Sequence, residues 1–235
     1  MSTLVPGPTR QPGPVPRRAG DREARSRTVR AVARAVSAPA GAFLLARTLL
    51  LPLDRFDARL PAAGAFADVG CGHGLLSQYL ARRQPARRVI GYDLDPRRLE
   101  AAGRAAGDLS NVEFRAERFE ASGARDLAGV LLVGILCLVD DAACAGLLAA
   151  ARRALAPGGA LLLHDVRLER GGWVLRGHLW RERLLARSGF TRADGLFVRP
   201  GAWWQGAVAG AGFSAIEPFR ADVPLHSVFN WICRA

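Results

Sequence analysis

The chain has 235 residues, enough for one domain with additional segments and for a substantial core. Half of the residues are hydrophobic, which excludes a wholly disordered protein. The net charge of +12 would suit binding to polyanions, but half of it comes from residues 1–34, where eight arginines accompany two acidic residues, and charge alone identifies no substrate. The chain contains no lysine, which is typical of codon bias in a GC-rich bacterial genome.

The N-terminal region divides into a tail and a helical segment. Residues 1–20 are rich in Pro, Gly and Arg and lack periodic apolar positions, so we expect a disordered tail. From Asp21 onwards apolar residues recur at helical spacing, and Pro39 and Gly41 divide this pattern into two helices. We expect residues 21–60 to form either a cover over one edge of a sheet or a lid over a ligand site, and the sequence favours neither.

The remainder, residues 61–235, alternates between strand and helix patterns, which is typical of a doubly wound parallel sheet. The last two strands are joined by too few residues for a helix, so we expect them to be antiparallel. The predicted fold is α/β: a three-layer αβα sandwich around a seven-stranded, mostly parallel sheet with a C-terminal antiparallel hairpin. The predicted strands are 66–70, 88–93, 112–115, 130–136, 160–165, 213–219 and 227–234, and the predicted helices are 75–83, 96–106, 141–156 and 201–211.

The most informative stretch is residues 66–74. A short apolar run contains Asp68, and three glycines follow at alternate positions: Gly70, Gly72 and Gly74. This pattern predicts a buried strand that breaks into a tight turn and opens a helix, whose first backbone amides face a ligand. The nicotinamide fingerprint has a different spacing, G-x-G-x-x-G, and the carboxylate of Asp68 would repel a pyrophosphate.

Four segments, in this order, resemble motifs of the class I S-adenosylmethionine-dependent methyltransferases. They are the glycine-rich stretch, a second strand that ends at Asp93, a third strand followed by Glu117, and the segment 155–165, in which a Pro-Gly-Gly turn leads into the fifth strand. The resemblance covers residues 61–166 with specific motifs and the remainder only in architecture. It implies methyltransferase activity with S-adenosylmethionine as the cofactor.

The resemblance also implies roles for individual residues in cofactor binding, alongside the three glycines. Asp93 would accept hydrogen bonds from both ribose hydroxyls; the alternative role, capping the next helix, suits Asp95 better. Leu94 would lie against the adenine. Glu117 would accept the adenine amino group, or is simply a solvated charge. Asp68 would organise the glycine loop or bind the ammonium of the methionine part, directly or through water.

The acceptor side carries no motif that assigns a substrate. His164 and Asp165 end the fifth predicted strand, at the edge where ligands of open α/β sheets bind, and His178 lies in the irregular stretch 167–200. Each of the three is a candidate catalytic base or acceptor ligand. The alternative is that His164 packs within the sheet and that Asp165 caps a turn. After the fourth strand there is no Asn-Pro-Pro-Tyr or Asp-Pro-Pro-Tyr segment, which weighs against methylation of base amino groups.

Aromatic residues suggest the kind of acceptor. Four tryptophans would line an apolar or aromatic acceptor site, although the adjacent pair is more typical of a core: Trp173, Trp180, Trp203 and Trp204. The arginines of 167–200 would bind an anionic substrate or form solvated surface. We therefore expect methylation of a small, apolar or aromatic metabolite, with oxygen as a possible target. The alternatives are an RNA-modifying methyltransferase and a noncatalytic nucleoside-binding protein on the same fold.

The cysteines and the hydropathy indicate the cellular compartment in which the protein works. The four cysteines form neither a C-x-x-C pair nor a metal-ligand spacing, so we expect reduced thiols and no metal. The first thirty residues lack the apolar core of a secretory signal, and the longest apolar run, 128–139, is too short to span a bilayer. The sequence predicts a cytoplasmic enzyme without a membrane span that acts on a small molecule, with nucleic acid disfavoured as a partner.

Overall fold

The computed structural model describes residues 20–37, 41, 51–107, 109–166, 195–219 and 228–235. Several predictions lie outside these described residues: the N-terminal tail over 1–19, the second N-terminal helix, His178, Trp173, Trp180 and the connection between the last two strands.

The described part alternates strands and helices as the sequence predicts. The α-helices are α1 (Asp21–Ala35), α2 (Leu53–Asp57), α3 (Leu75–Arg83), α4 (Pro96–Ala105), α5 (Asp141–Ala154) and α6 (Gly201–Gly210). The strands are β1 (Gly64–Val69), β2 (Arg87–Tyr92), β3 (Val112–Arg115), β4 (Leu127–Val133), β5 (Leu155–Val166), β6 (Ala215–Pro218) and β7 (Val228–Arg234). Short 3₁₀ turns lie at Phe119–Ala121 and Leu136–Leu138.

All seven strands form one sheet in the order β3-β2-β1-β4-β5-β7-β6. The first five strands in this order are parallel, whereas β7 runs antiparallel to both β5 and β6. The predicted fold class is therefore confirmed, including the antiparallel pair at the C-terminus. The strand order reverses between β1 and β4, and ligands of open α/β sheets bind at the carboxyl ends of the strands beside such a reversal.

Helices cover both faces of the sheet. Alternate residues of β5 enter two different cores: Leu161 and Leu163 pack with α5 and α6, whereas Leu162 packs with α1 to α3. Trp204 of α6 is fully buried in the first core, as expected for the adjacent tryptophan pair, and Trp203 packs edge-on against it at 5.1 Å between ring centroids. These layers form the predicted αβα sandwich.

Helix α1 lies against α3 and α4, with Thr28 and Val32 buried. Near its start, Asp21 pairs with Arg83 of α3 at 2.7 Å, and at its end the carbonyl of Ala35 accepts a hydrogen bond from Arg104 of α4 at 3.1 Å. Both contacts are made by the C-terminal turns of α3 and α4, which lead into the starts of β2 and β3. Helix α1 is therefore attached toward the amino edge of the sheet.

The predicted end of the fourth strand is wrong. We expected the fourth strand over 130–136, but β4 ends at Val133. Gly134 turns the chain with a φ of 67°, and the next amides donate to the side chain of Asp165 instead of continuing the β-ladder. A buried carboxylate thus ends a strand that the apolar pattern alone would extend.

None of the helices in the described ranges is long and apolar enough to cross a membrane.

Candidate functional site

The glycine-rich turn follows β1 and opens α3. All three glycines have positive φ, which disfavours any residue with a side chain. A Cβ on Gly70 would lie 2.3 Å from Cγ2 of Ile135, and one on Gly74 would lie 2.6 Å from Cζ of Phe114. Gly72 differs, because nothing lies within 4 Å of the corresponding position. The outer two glycines therefore pack against protein, and the middle one faces open space.

Asp93 follows β2 and binds this turn. Its Oδ2 accepts the N–H of Gly72 at 2.8 Å, and its Oδ1 accepts the N–H of Asp95 at 2.9 Å. Each carboxylate oxygen can accept more than one hydrogen bond, so these contacts orient Asp93 without using all of its capacity. Asp95 itself caps α4 by accepting the N–H of Arg97 at 3.0 Å, as predicted.

Asp68 lies beneath the turn and is almost completely buried. Its Oδ2 accepts a hydrogen bond from the hydroxyl of Ser77 at 2.5 Å, which ties the end of β1 to α3. Burial raises the pKa of the neighbouring Cys71 thiol well above its usual value, and the carboxylates of Asp68 and Asp93 raise it further. Cys71 is therefore a neutral thiol, and it belongs to the packing of the turn.

An exposed apolar side chain follows Asp93 in the chain. The side chain of Leu94 is 51% exposed. Among the described residues, no other large hydrophobic side chain is exposed to this degree. Glu117 follows the neighbouring strand β3, is partly exposed, and lies 3.7 Å from the guanidinium of Arg115. Leu94 thus directly follows one tightly held carboxylate, and a loosely held carboxylate follows the neighbouring strand.

His164 lies near the carboxyl end of β5 and is 8% exposed. Its Nδ1 is 2.7 Å from Oδ1 of Asn230 on β7, and Phe56 of α2 packs edge-on against its ring. Because an amide oxygen only accepts hydrogen bonds, Nδ1 is the donor in this contact.

Asp165 points to the opposite face and is 1% exposed. It accepts the N–H groups of Leu136 at 2.8 Å and Cys137 at 3.2 Å, and also the N–H of Val166 at 2.7 Å. Burial raises the pKa of this carboxyl group, and the hydrogen bonds from the backbone oppose that rise. Asp165 therefore caps the turn after β4.

Sequence reasoning missed Arg199, which lies among the arginines expected to bind an anion or to be solvated. It is 5% exposed, and its guanidinium donates to the carbonyls of Leu136 at 2.9 Å and Val139 at 2.8 Å. The guanidinium also lies 4.5 Å from the ring centroid of Trp203. The sequence signal for this role was an arginine shortly before a tryptophan pair.

The sheet brings the candidate cofactor residues together. Asp68, the three glycines, Asp93, Leu94 and Glu117 follow or end the neighbouring strands β1, β2 and β3. His164 and Asp165 end β5, on the other side of β4, and face opposite layers. Within the described part of the chain, no three His, Cys, Asp or Glu residues form a group that could hold a metal ion.

The chain is similar to known proteins. A family model described as "Methyltransferase domain" matches residues 66–159. Acetylserotonin O-methyltransferase of Rattus norvegicus is 32% identical over 180 residues, covering 75% of this chain and 40% of the relative. The ubiquinone biosynthesis O-methyltransferase of Xanthomonas oryzae pv. oryzae is 32% identical over 165 residues, which is 66% of each chain.

The fold is also found among solved structures. The O-methyltransferase family 2 protein of Planctomyces limnophilus, solved in complex with apigenin, superimposes with a TM-score of 0.63 at 24% identity, covering 87% of this chain and 64% of that one. This chain thus spans less than half of the rat relative and about two thirds of the other two proteins.

Proposed function

Because the chain carries a class I S-adenosylmethionine-dependent methyltransferase domain, we propose that it transfers a methyl group to oxygen on a small, apolar or aromatic molecule. The observation that carries the proposal is the glycine turn held by Asp93, beside an exposed Leu94. Both relatives are named O-methyltransferases, which favours oxygen as the target. The words acetylserotonin and ubiquinone biosynthesis in their names favour a small molecule as the acceptor.

The residues at the turn fit S-adenosylmethionine. The position where a Cβ of Gly72 would stand is open, so a ligand can approach the backbone closely there. Asp93 is fixed by two backbone amides and has remaining capacity to accept the two ribose hydroxyls. Leu94 offers an apolar face for adenine, and Glu117 offers an acceptor for its amino group.

When bound, the cofactor supplies a methyl group that is already activated by a positively charged sulfur. The protein then has to hold the acceptor in line with this methyl and keep water out, which lowers the barrier by several kcal/mol. Asp68 contributes by fixing the turn through Ser77. Its negative charge also favours the cationic end of the cofactor over a pyrophosphate.

We propose His164 as the catalytic base among the three candidates. Asn230 orients the imidazole through Nδ1, and the imidazole takes the proton of the acceptor hydroxyl as the oxygen–methyl bond forms. Asp165 is a poorer candidate, because its carboxylate is buried and already accepts three backbone amides. His178 lies outside the described residues.

The test is to incubate purified protein with methyl-labelled S-adenosylmethionine and host extract, and then to separate organic-soluble, RNA and protein fractions. Label in the organic fraction supports the proposal and supplies the product for identification. Label in RNA contradicts the proposed substrate class. The Asp93→Ala variant should abolish labelling, whereas Asp95→Ala, which removes a neighbouring carboxylate that caps α4, should retain it.

A further inference from the structure

We call the turn after β4, residues 134–140, the β4 loop. Both its backbone amides and its backbone carbonyls form hydrogen bonds with other parts of the chain. The amides of Leu136 and Cys137 donate to Asp165. On the other side, the carbonyl of Cys137 accepts the amide of Phe197 at 2.8 Å, and the carbonyls of Leu136 and Val139 accept from Arg199. A segment far along the chain thus supplies the hydrogen-bond donors for three carbonyls of this loop.

Arg199 is suited to this task by the shape of its side chain. The planar guanidinium reaches two carbonyls that are three residues apart, while its Nε donates to Asp141 at 2.7 Å. The ring of Trp203 supports the guanidinium at 4.5 Å. A lysine at this position would keep the charge but could not reproduce the fixed fork of donors.

The β4 loop in turn contacts the glycine turn. Ile135 packs so closely on Gly70 that a methyl group on this glycine would overlap Cγ2 of Ile135. Gly70 is itself fixed by donating its amide to the carbonyl of Tyr92 at 2.7 Å. A continuous path of packed and hydrogen-bonded groups therefore leads from Arg199 through Ile135 to the turn that carries Gly72.

We propose that Arg199 is a positioning residue for the cofactor: by holding the β4 loop, it presses Ile135 against Gly70 and keeps the glycine turn in its binding conformation. This inference rests on the proposed function, because it takes the glycine turn as the cofactor site. It assigns to the segment 195–199 a part in cofactor affinity, although Arg199 lies beside the β4 loop and not beside Asp93.

The experiment measures the Kd of S-adenosylhomocysteine by titration calorimetry, with thermal melts of the same samples. Arg199→Lys and Ile135→Ala should each raise the Kd about fivefold, within the range of coupling through packed networks. The double variant should be about as weak as the weaker single variant, because residues that act along one path are not additive. Additive effects on binding would contradict the proposed path.

A variant of a second buried arginine, Arg87, serves as a control. It distinguishes an effect on cofactor binding from a general loss of stability. Arg87 also donates to loop carbonyls, but at the amino edge of the sheet. Arg87→Lys should lower the melting temperature and leave the Kd within about twofold of the wild type, because distant independent sites do not couple. A Kd of Arg199→Lys equal to that of the wild type would overturn the inference.

The wild-type titration distinguishes the two proposals. If the wild type fails to bind S-adenosylhomocysteine, the proposed function fails and the inference fails with it. If the wild type binds and both variants bind equally well, only the inference fails. Should Arg199→Lys not fold, the partly exposed Ile135 allows Ile135→Ala alone to decide, since an unchanged Kd there breaks the path.

Discussion

The two edges of the sheet use the same side chain for different purposes. At the amino edge, Arg87 donates to the carbonyls of Pro61 and Leu60, and at the carboxyl edge Arg199 donates to those of the β4 loop. Arg87 is paired with the buried carboxylate of Asp57, whereas the carboxylate that pairs with Arg199, that of Asp141, is 69% exposed. The amino edge is therefore an internal ion network, and the carboxyl edge is open to solvent.

From this difference we expect stability to depend on the amino edge and cofactor binding to depend on the carboxyl edge. Asp57 also pairs with Arg83, which in turn binds Asp21 of α1, so the amino edge joins four elements through nearly buried charges. At the carboxyl edge, the carboxylates of Asp93 and Asp165 accept hydrogen bonds from the backbone of turns. Leu94 is exposed at this edge. The variants below test whether the two edges separate in this way.

The largest expected effect is on stability, at the amino edge. Asp57→Asn removes the carboxylate that faces both Arg83 and Arg87 in a buried site, which should lower the free energy of unfolding by about 3–5 kcal/mol. Urea denaturation measures this loss. As a matched control, Glu113→Gln removes a carboxylate from exposed pairs with Arg88 and Arg115 and should change stability by less than about 1 kcal/mol. A loss below that value for Asp57→Asn would refute the assignment of stability to this edge.

The next effect is on binding, at the carboxyl edge. Asp93→Asn keeps the shape of the side chain but removes its charge and replaces one acceptor oxygen with a donor. Because hydrogen bonds to charged groups contribute about 1.5–3 kcal/mol, the Kd of S-adenosylhomocysteine should rise about 10- to 100-fold. Asp95→Asn, two residues later, should leave the Kd nearly unchanged. Equal losses for the two variants would mean that Asp93 acts only by capping backbone amides.

A third effect depends on pH and belongs to Asp165. Burial raises its native pKa, so the native state holds this proton at pH values where the unfolded chain has already released it. The stability of the wild type relative to Asp165→Asn should therefore be greatest in acid and fall as the pH rises from about 4, the unfolded value, through the native pKa. Urea denaturation of both proteins across this range measures the difference. A difference that grows with pH would show that the three amides outweigh burial.

The sequence predicted most of the fold, because the features that specify it are local. The spacing of Gly70, Gly72 and Gly74 and the Asp-Pro start of α4 are readable in single segments, and the structure has α3 with the predicted bounds. The resemblance to class I methyltransferases likewise rested on short motifs, and it is confirmed by the matching family and relatives.

What the sequence could not predict depends on contacts between distant residues. The end of β4 is set by Asp165, some thirty residues later, and the β4 loop is completed by Arg199, still further along. An arginine shortly before a tryptophan pair is a local signal, but it does not show which carbonyls the arginine binds, because those lie about sixty residues earlier. The direction of each side chain at the end of β5, His164 to one face and Asp165 to the other, likewise appears only once the strand is placed in its sheet.

The smallest expected effect concerns Glu117 and grades the carboxyl edge itself. Glu117 is partly exposed and only loosely paired with Arg115, so its contribution is screened by solvent in a way that the oriented Asp93 is not. Glu117→Gln keeps an oxygen that can accept the adenine amino group, and it should raise the Kd of S-adenosylhomocysteine by no more than about threefold. Glu117→Ala removes this acceptor and should weaken binding further, whereas Glu120→Ala, an exposed acid on the adjoining 3₁₀ turn, should have no effect. If Glu117→Ala binds as tightly as the wild type, the side chain is a solvated charge, and the adenine is recognised by Leu94 and the backbone instead.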